Sequence, residues 1–386
     1  MKIVSLDVHA ESSQMAVMSE QGELLLEMVV ATQAQELRRV VGGIAGPKRV
    51  VFEEGPLSGM IRDALEGVAE QIVSADPSHN ALIARSEDSN DEKDARRLGT
   101  LAAVKAIREV YVPGEPYRTL RSLLVHDERL ARGIPSAKNR IKALCRRRGI
   151  RCRGTGVYRA AGRPGVLEPL PAEWKWQMES LYRQLDLARR ERVGAHRVLG
   201  RLTRKMPLIA RLDGIPGVGP MTARTIVGYI VDPDRFKSRS AVNAYGGLGL
   251  CQAVTNWKVV SRAKASKRGQ KRLKRVLMIA AEAALRGDNA LSRRYQARRE
   301  AGWEERKAKR DLGRTILFLA CGMWKNAQEY KEELVRVPAP EAKAARPDQA
   351  FGGPSARSPG FLARVPWSNR WESSTAKLIL GDPEID

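Results

Sequence analysis

In the first hundred residues the apolar positions fall in short runs, not in long helical stripes. Residues 2–9 form one such run, with a single carboxylate, Asp7, in its middle. Two more follow at 13–18 and 24–30, separated by the turn Glu20-Gln21-Gly22-Glu23, and together they predict a three-stranded antiparallel meander. A helix is predicted from about 33 to 41, ended by Gly42-Gly43, and then a strand at 49–52 that runs directly into Glu53-Glu54-Gly55-Pro56. A second helix from about 59 to 68 and a strand at 71–76 complete the pattern. Strands first, then alternating helix and strand, predict a mixed sheet with helices packed on its faces.

Beyond Tyr111-Val112-Pro113-Gly114-Glu115-Pro116, a linker by its Pro and Gly content, the periodicity becomes helical. Leu120, Leu123, Leu124, Leu130, Ile134, Ile141 and Leu144 mark a helix that Pro135 should kink or split. Trp174, Met178, Leu181, Leu185, Ala188, Ala195, Leu199 and Leu202 follow a 4-3 heptad spacing broken only by Arg192, a coiled-coil seam of about four heptads. Such a seam serves either packing within one subunit or contact between two. Further on, Leu212-Asp213-Gly214-Ile215-Pro216-Gly217-Val218-Gly219-Pro220 has the form of a helix-hairpin-helix turn, in which Gly217 and Gly219 let backbone approach a phosphate. A helix with Leu273, Val276, Leu277, Ala280 and Ala284 on one face puts Lys271, Arg272, Lys274 and Arg275 largely off it. A last amphipathic helix is predicted over about 305–330, with Ile316, Phe318, Leu319 and Met323. From 337 the chain is rich in Pro, Gly, Ala and Ser without period, which predicts disorder; Trp367 and Trp371 are its only docking candidates. Four parts result: a domain at 1–114, a basic helical region at 115–205, a mainly α domain at 206–336 and a tail at 337–386.

Charge sharpens this division. The chain carries a net +24, which points to a polyanionic partner, most simply nucleic acid. Residues 1–114 hold 12 Lys+Arg against 18 Asp+Glu, whereas the remainder holds 56 against 26. An acidic first domain joined to a basic second part suggests metal chemistry in one and phosphate binding in the other. Eight cations crowd residues 138–153, among them Arg146, Arg147 and Arg148, and Lys267 and Arg268 precede the 271–284 helix. Aromatic residues make up only 5%, so phosphate contacts should outweigh base stacking. Cys145, Cys152, Cys251 and Cys321 lack metal-ligand spacing and read as reduced thiols. No signal-peptide shape opens the chain and no apolar stretch reaches ~18 residues, so a cytoplasmic protein with no membrane contact is expected.

The acidic domain contains the candidate chemistry. A carboxylate on a buried strand needs compensation, because desolvating it alone costs several kcal/mol. Glu53 stands at the carboxyl end of a buried strand, where α/β folds place their sites. Glu54 points to the other side, so only one of the pair shares a face with Asp7; Glu53 is taken here, although the local pattern does not separate them. Asp91 and Asp94, spaced i, i+3, share one helix face. Each acid alone reads as a solvated strand end or an acidic helix start. Together, Asp7, Glu53, Asp91 and Asp94 form a cluster that needs one or two hard cations, and Mg²⁺ is the usual one.

Asp7, Glu53-x-Gly55-Pro56 and Asp91-x-x-Asp94-Ala95 resemble the DEDD pattern of the insertion-sequence-110 family of transposases. The resemblance implies a ribonuclease-H-like first domain, a coiled-coil middle used for assembly and, over about 206–330, a helical transposase domain. It also implies that a serine nucleophile follows the Gly-Leu step. Counted without gaps from Ala244-Tyr245-Gly246-Gly247-Leu248, that position is Thr255. Three possibilities stand, in this order: Thr255 is the nucleophile, Ser261 nearby takes its place, or covalent chemistry is lost. A threonine hydroxyl can attack, but its methyl group restricts χ1 and crowds the approach to phosphorus.

The function implied by the resemblance is an RNA-guided DNA recombinase. A composite site would combine the Mg²⁺-binding carboxylates with a hydroxyl from the second domain, in a homo-oligomer (dimer or tetramer) that binds DNA and a structured guide RNA. A metal-dependent structure-selective nuclease without a covalent intermediate is the second reading. The third is a non-catalytic nucleic-acid-binding descendant of a transposase.

Overall fold

The computed structural model describes residues 1–77, 91–251, 254–255, 258–259, 264–265 and 269–338. The chain divides into two compact units, Met1–Val125 and the residues from His126 onward. The tail expected from 337 lies, after Pro338, outside the described residues, as do Trp367 and Trp371.

The first unit is built on strands β1 (Lys2–Val8), β2 (Ser12–Met18), β3 (Leu24–Ala31), β4 (Lys48–Glu53) and β5 (Gln71–Ala75). Their order in the sheet is β3-β2-β1-β4-β5. The meander pairs antiparallel, and β1–β4 and β4–β5 pair parallel. Alternation divides the central strands between two cores. Val4, Leu6, Val50 and Phe52 pack against Leu37 and Val41 of α1 (Ala34–Gly43) and Ile61 and Leu65 of α2 (Ser58–Leu65). Ile3, Val51 and Val73 pack on the opposite face against Leu98 and Ala102 of α3 (Asp91–Ala103). Burial on both faces is why β1 and β4 read as nearly continuous apolar runs. Each fully buried Leu or Phe contributes about 1.5–3 kcal/mol.

Helix α3 is held close to the sheet by two features. Its Arg96 makes a two-pronged ion pair with Glu27 of β3, which holds the Glu27 carboxyl below its usual range. At Gly99 a Cβ would stand 2.6 Å from Met18 Sδ and 2.8 Å from Ser5 Oγ, so only glycine permits this approach. Because Met18 and Ser5 are both buried, neither can swing away cheaply.

In the second unit the helices dominate. Helix α4 (Tyr117–Arg147) starts in the first unit and runs into the second; it passes through Pro135 as one element, so of the expected kink or split the split does not occur. After the short α5 (Pro164–Leu167) comes α6 (Ala172–Thr203). The heptad positions Met178 and Leu185 are buried in the chain's own core, with Ala137, Ile141, Leu144 and Tyr158. Part of the seam is therefore filled within one subunit. Next come α7 (Pro207–Asp213), α8 (Pro220–Ile230) and α9 (Arg239–Tyr245), then the two-residue strands β6 (Leu250–Cys251), β7 (Val254–Thr255), β8 (Lys258–Val259) and β9 (Lys264–Ala265). Helices α10 (Lys271–Ala284), α11 (Ala290–Glu300) and α12 (Glu305–Lys325) close the unit. Leu273, Leu277, Ala280 and Ala284 of α10 are buried, which is the apolar face the sequence predicts, while Val276 is half-buried. No helix among the described residues is long and apolar enough to cross a membrane.

Gly99→Ala should destabilise the first unit by about 1–3 kcal/mol by overpacking α3 against the sheet. Chemical denaturation followed by circular dichroism measures this.

Candidate metal centre and nucleic-acid contacts

The parallel register of β1 with β4 pairs Leu6 with Phe52, so the next positions, Asp7 and Glu53, stand side by side at the carboxyl ends of their strands. Both share the parity of Ile3 and Val51, which pack against α3, and so both belong to the face that α3 covers. Glu54 follows the strand and lines a cavity of about 790 Å³ with Arg38 of α1 and Ser58 and Asp63 of α2, on the other side. The register thus distinguishes the two glutamates, which the local sequence pattern does not.

Helix α3 begins at Asp91, and Asp94 follows one turn later. Ligand atoms of Asp7, His9 and Asp91 all lie within 4.8 Å of one another. His9 Nε2 is 3.2 Å from Asp7 Oδ2 and 3.5 Å from Asp91 Oδ1. Asp94 accepts a hydrogen bond from Arg97 Nη1 at 3.1 Å. Burial raises the Asp7 carboxyl above its usual pKa; His9 pulls it down, and the charges of Asp91 and Asp94 push it up. Asp7 therefore interacts with both acids of α3. The side chains of Asp7, His9 and Asp91 are 25%, 53% and 67% exposed, so water-borne ions and a phosphate can reach them. Hard carboxylate oxygens with open access suit a divalent cation that keeps sites free for water or phosphate.

His9 was missed as a site residue in the sequence, although its signal was present. It follows Asp7 at i+2, the spacing that puts two strand side chains on one face.

In the second unit the turn at 214–219 joins α7 to α8. Gly217 adopts φ +83°, and a Cβ there would overlap the backbone of Ala280 and Ala284 in α10. Its lack of a side chain is used for packing inside the unit. Gly219 has open space where its Cβ would be and caps α8, so its position leaves room for an incoming anion.

Thr255 pairs with Lys258 in the β7–β8 ladder, within an outer ladder that pairs Leu250 with Ala265 and Cys251 with Lys264. The base of this segment is tied. The Gln270 N–H donates to the Tyr245 carbonyl at 2.7 Å, and Gly269 (φ +95°) sits where a Cβ would overlap the backbone of Ala244 and Gly247. Ser261, Lys267 and Arg268 lie outside the described residues.

The basic positions differ in availability. Arg146, Arg147, Arg148 and Lys271 are exposed, and Arg148 stacks on Trp174 with its guanidinium 4.9 Å from the ring centre. Arg272 and Arg275 of α10 instead donate to Glu128 of α4 at 2.7 and 2.6 Å. Arg132 binds the same carboxylate at 2.6 Å, and against the burial that raises it, Arg272 and Arg132 hold Glu128 below its usual pKa. The next-door Asp127 accepts from Arg192 at 3.2 Å and pairs with His196 Nε2 at 2.8 Å. Two adjacent carboxylates on α4 thus tie it to both α6 and α10.

A strand-end acid beside a second strand-end acid, faced by two acids of one helix turn, defines the protein's class as one with a carboxylate-lined candidate metal centre in a chain that also carries a strongly basic unit. Residues 4–147 match the family model for DEDD transposases of the IS110 group, described as "Transposase". Residues 209–296 match the model described as "Transposase IS116/IS110/IS902 family". The chain is also similar to the transposase for insertion sequence element IS1111A of Coxiella burnetii (strain RSA 493 / Nine Mile phase I). The two are 26% identical over 300 residues, covering 74% of this chain and 78% of that protein. The chain belongs to the IS110 family of transposases. Membership implies an enzyme that cuts and rejoins DNA, and so a DNA partner.

Asp91→Asn should leave the metal-free protein as stable as wild type or up to about 1 kcal/mol more stable, since it relieves repulsion at an exposed site. The same variant should lose most of the melting-temperature rise expected of the wild type with a divalent cation, which thermal unfolding with and without metal measures. Glu128→Gln should release Arg272 and Arg275 and strengthen DNA binding about two- to fivefold, with a salt slope steeper by about one; fluorescence anisotropy at several salt concentrations measures both.

Proposed function

We propose that this chain is a recombinase that moves its insertion sequence by strand transfer through a covalent protein–DNA intermediate, guided by an RNA encoded in the element's flank. Asp7, Glu53, Asp91 and Asp94 would hold Mg²⁺. The convergence of Asp7 with Asp91, with Glu53 on the same face, carries this reading. Mg²⁺ bound there would neutralise charge on the scissile phosphate and lower the cost of deprotonating an attacking hydroxyl.

The chain's own residues supply the rest. Asp7, at a rigid strand end, and Asp91 and Asp94, on a helix locked to the sheet at Gly99, hold their carboxylates in fixed positions, so the cation they would bind fixes where the phosphate can sit. The Thr255 hydroxyl attacks phosphorus. An Oγ1–P bond forms as the hydroxyl proton leaves, and the P–O bond to the sugar breaks and frees a sugar hydroxyl. That hydroxyl, or one from a second DNA, can reverse the step and release Thr255, so no bond energy is lost between cutting and joining. Ser261 is the second candidate for this role.

Arg146, Arg147, Arg148, Lys267, Arg268, Lys271, Arg272 and the turn containing Gly217 and Gly219 would bind phosphate backbone. The ribonuclease-H-like character of the first unit and the helix-hairpin-helix character of α7–α8 belong to this reading; the β3-β2-β1-β4-β5 order supports the former. The charge surplus beyond residue 114 suits a large nucleic-acid load, guide RNA included. Homo-oligomerisation, as a dimer or tetramer, finds support in α6, where exposed Trp176, Leu187 and Val198 recur every eleven residues on one face.

One observation favours a second reading, hydrolysis by a structure-selective nuclease: the residue at the nucleophile position is a threonine. Covalent trapping separates the two. Full-length protein, Mg²⁺, donor and target DNA, and RNA transcribed from the element's flank are run on a denaturing gel. The recombinase reading expects a DNA-linked protein band that is lost in Thr255→Ala and Asp7→Ala and kept in Ser261→Ala. Metal-dependent cleavage with no linked band would mean hydrolysis. DNA binding without cleavage, unchanged in Asp7→Ala, would mean a non-catalytic descendant.

A further inference from the structure

The donor atoms at the candidate metal centre are not all oxygen. His9 lies one residue beyond β1, and its backbone N–H donates to the Ser12 carbonyl at 3.2 Å, which fixes the turn into β2. From that anchored position one imidazole atom, Nε2, faces both Asp7 and Asp91, at 3.2 and 3.5 Å. A ring nitrogen carries at most one proton and cannot donate fully to two carboxylates. The spacing has another meaning. Around an octahedral ion with metal–ligand distances of about 2.1–2.2 Å, neighbouring ligand atoms stand about 3 Å apart. The nitrogen-to-oxygen distances here are close to that edge length, and all three residues offer a ligand atom within one 4.8 Å group.

Resting on the reading above that these carboxylates hold a divalent metal, we propose that His9 is a nitrogen ligand of that ion. The centre is then of mixed oxygen and nitrogen character. Mg²⁺ takes oxygen almost exclusively, whereas Mn²⁺ accepts an imidazole beside carboxylates and the later first-row ions bind it more strongly still. His9 therefore tilts the site towards Mn²⁺-type ions, and Mg²⁺ occupies it with water in the histidine position. Asp7 and Asp91 are common to both ions; His9 sets the preference.

The test uses the full-length chain loaded with Mn²⁺ alone and read by pulsed electron paramagnetic resonance. Wild type is expected to show imidazole ¹⁴N modulation that changes to the ¹⁵N pattern when histidine is ¹⁵N-labelled. Of the chain's 4 histidines, His9 is assigned by its loss: His9→Gln should abolish the modulation while still binding Mn²⁺. In the same variant Mn²⁺ affinity should fall about tenfold, with Mg²⁺ affinity nearly unchanged. Bound Mn²⁺ without nitrogen modulation in wild type would overturn the assignment of His9 and leave the carboxylate centre standing. Failure of wild type to bind Mn²⁺, or binding that survives Asp7→Asn undiminished, would overturn both. If His9→Gln folds poorly, His79→Gln, His126→Gln and His196→Gln make the same assignment by elimination, each being expected to keep the modulation.

Discussion

The parallel pairing of β1 with β4 is the constraint on which the rest of the first unit depends. Leu6 opposite Phe52 buries both side chains among α1 and α2, and shifting that register by one residue would turn every side chain of the strand to the wrong face. The apolar core therefore enforces the register. The register in turn delivers Asp7 and Glu53 together to the α3 face, beyond the last buried positions. Helix α3 completes the group because Gly99 lets it rest directly on β1 and β2, with Asp91 and Asp94 in its first turn. Burial, and after it the charges of Asp91 and Asp94, raise the Asp7 pKa, and this cost is tolerated because packing elsewhere holds the strands and helix in place.

The second unit solves a different problem, that of holding many like charges in one fold. Buried carboxylates act as junctions. Glu128 gathers Arg132, Arg272 and Arg275, and Asp311 on α12 binds Arg294 of α11 at 2.8 Å and also pairs with Arg314. Such junctions let helices rich in arginine pack together, because a guanidinium can meet a neighbouring carboxylate from the side while its stem covers apolar surface. They also divide the cations into those that serve the fold and those left for a polyanion. Arg146 and Arg147 are exposed, Arg148 is exposed and stacked on Trp174, and Arg272 is bound internally in this state.

Much of this was legible in the sequence. The strands of the sheet announced themselves as short apolar runs, and Asp7 stood out as a charge in one of them. Asp91 and Asp94 were legible as a pair by helical spacing. What the sequence left open required contacts between distant segments. Glu53 and Glu54 are neighbours with the same chemistry, and only pairing with β1 tells them apart. The motif around Gly217 is local and was legible, whereas its close packing on Ala280 and Ala284, more than sixty residues away, was not. The heptad spacing of α6 reported a buried stripe correctly but could not say what buries it; Met178 and Leu185 meet α4 of the same chain. The face of α6 bearing Trp176, Leu187 and Val198 was not singled out in the sequence, because it lies outside the heptad register.

One metal centre formed by the acids of β1, β4 and α3 underlies the function proposed for this chain. Anomalous diffraction from Mn²⁺-soaked crystals of the full-length protein tests it most directly. An anomalous peak is expected within bonding distance of the Asp7 and Asp91 carboxylates, on the face that α3 covers, and should disappear in Asp7→Asn crystals. A well-ordered Mn²⁺ bound elsewhere, with these carboxylates free of metal, would contradict it.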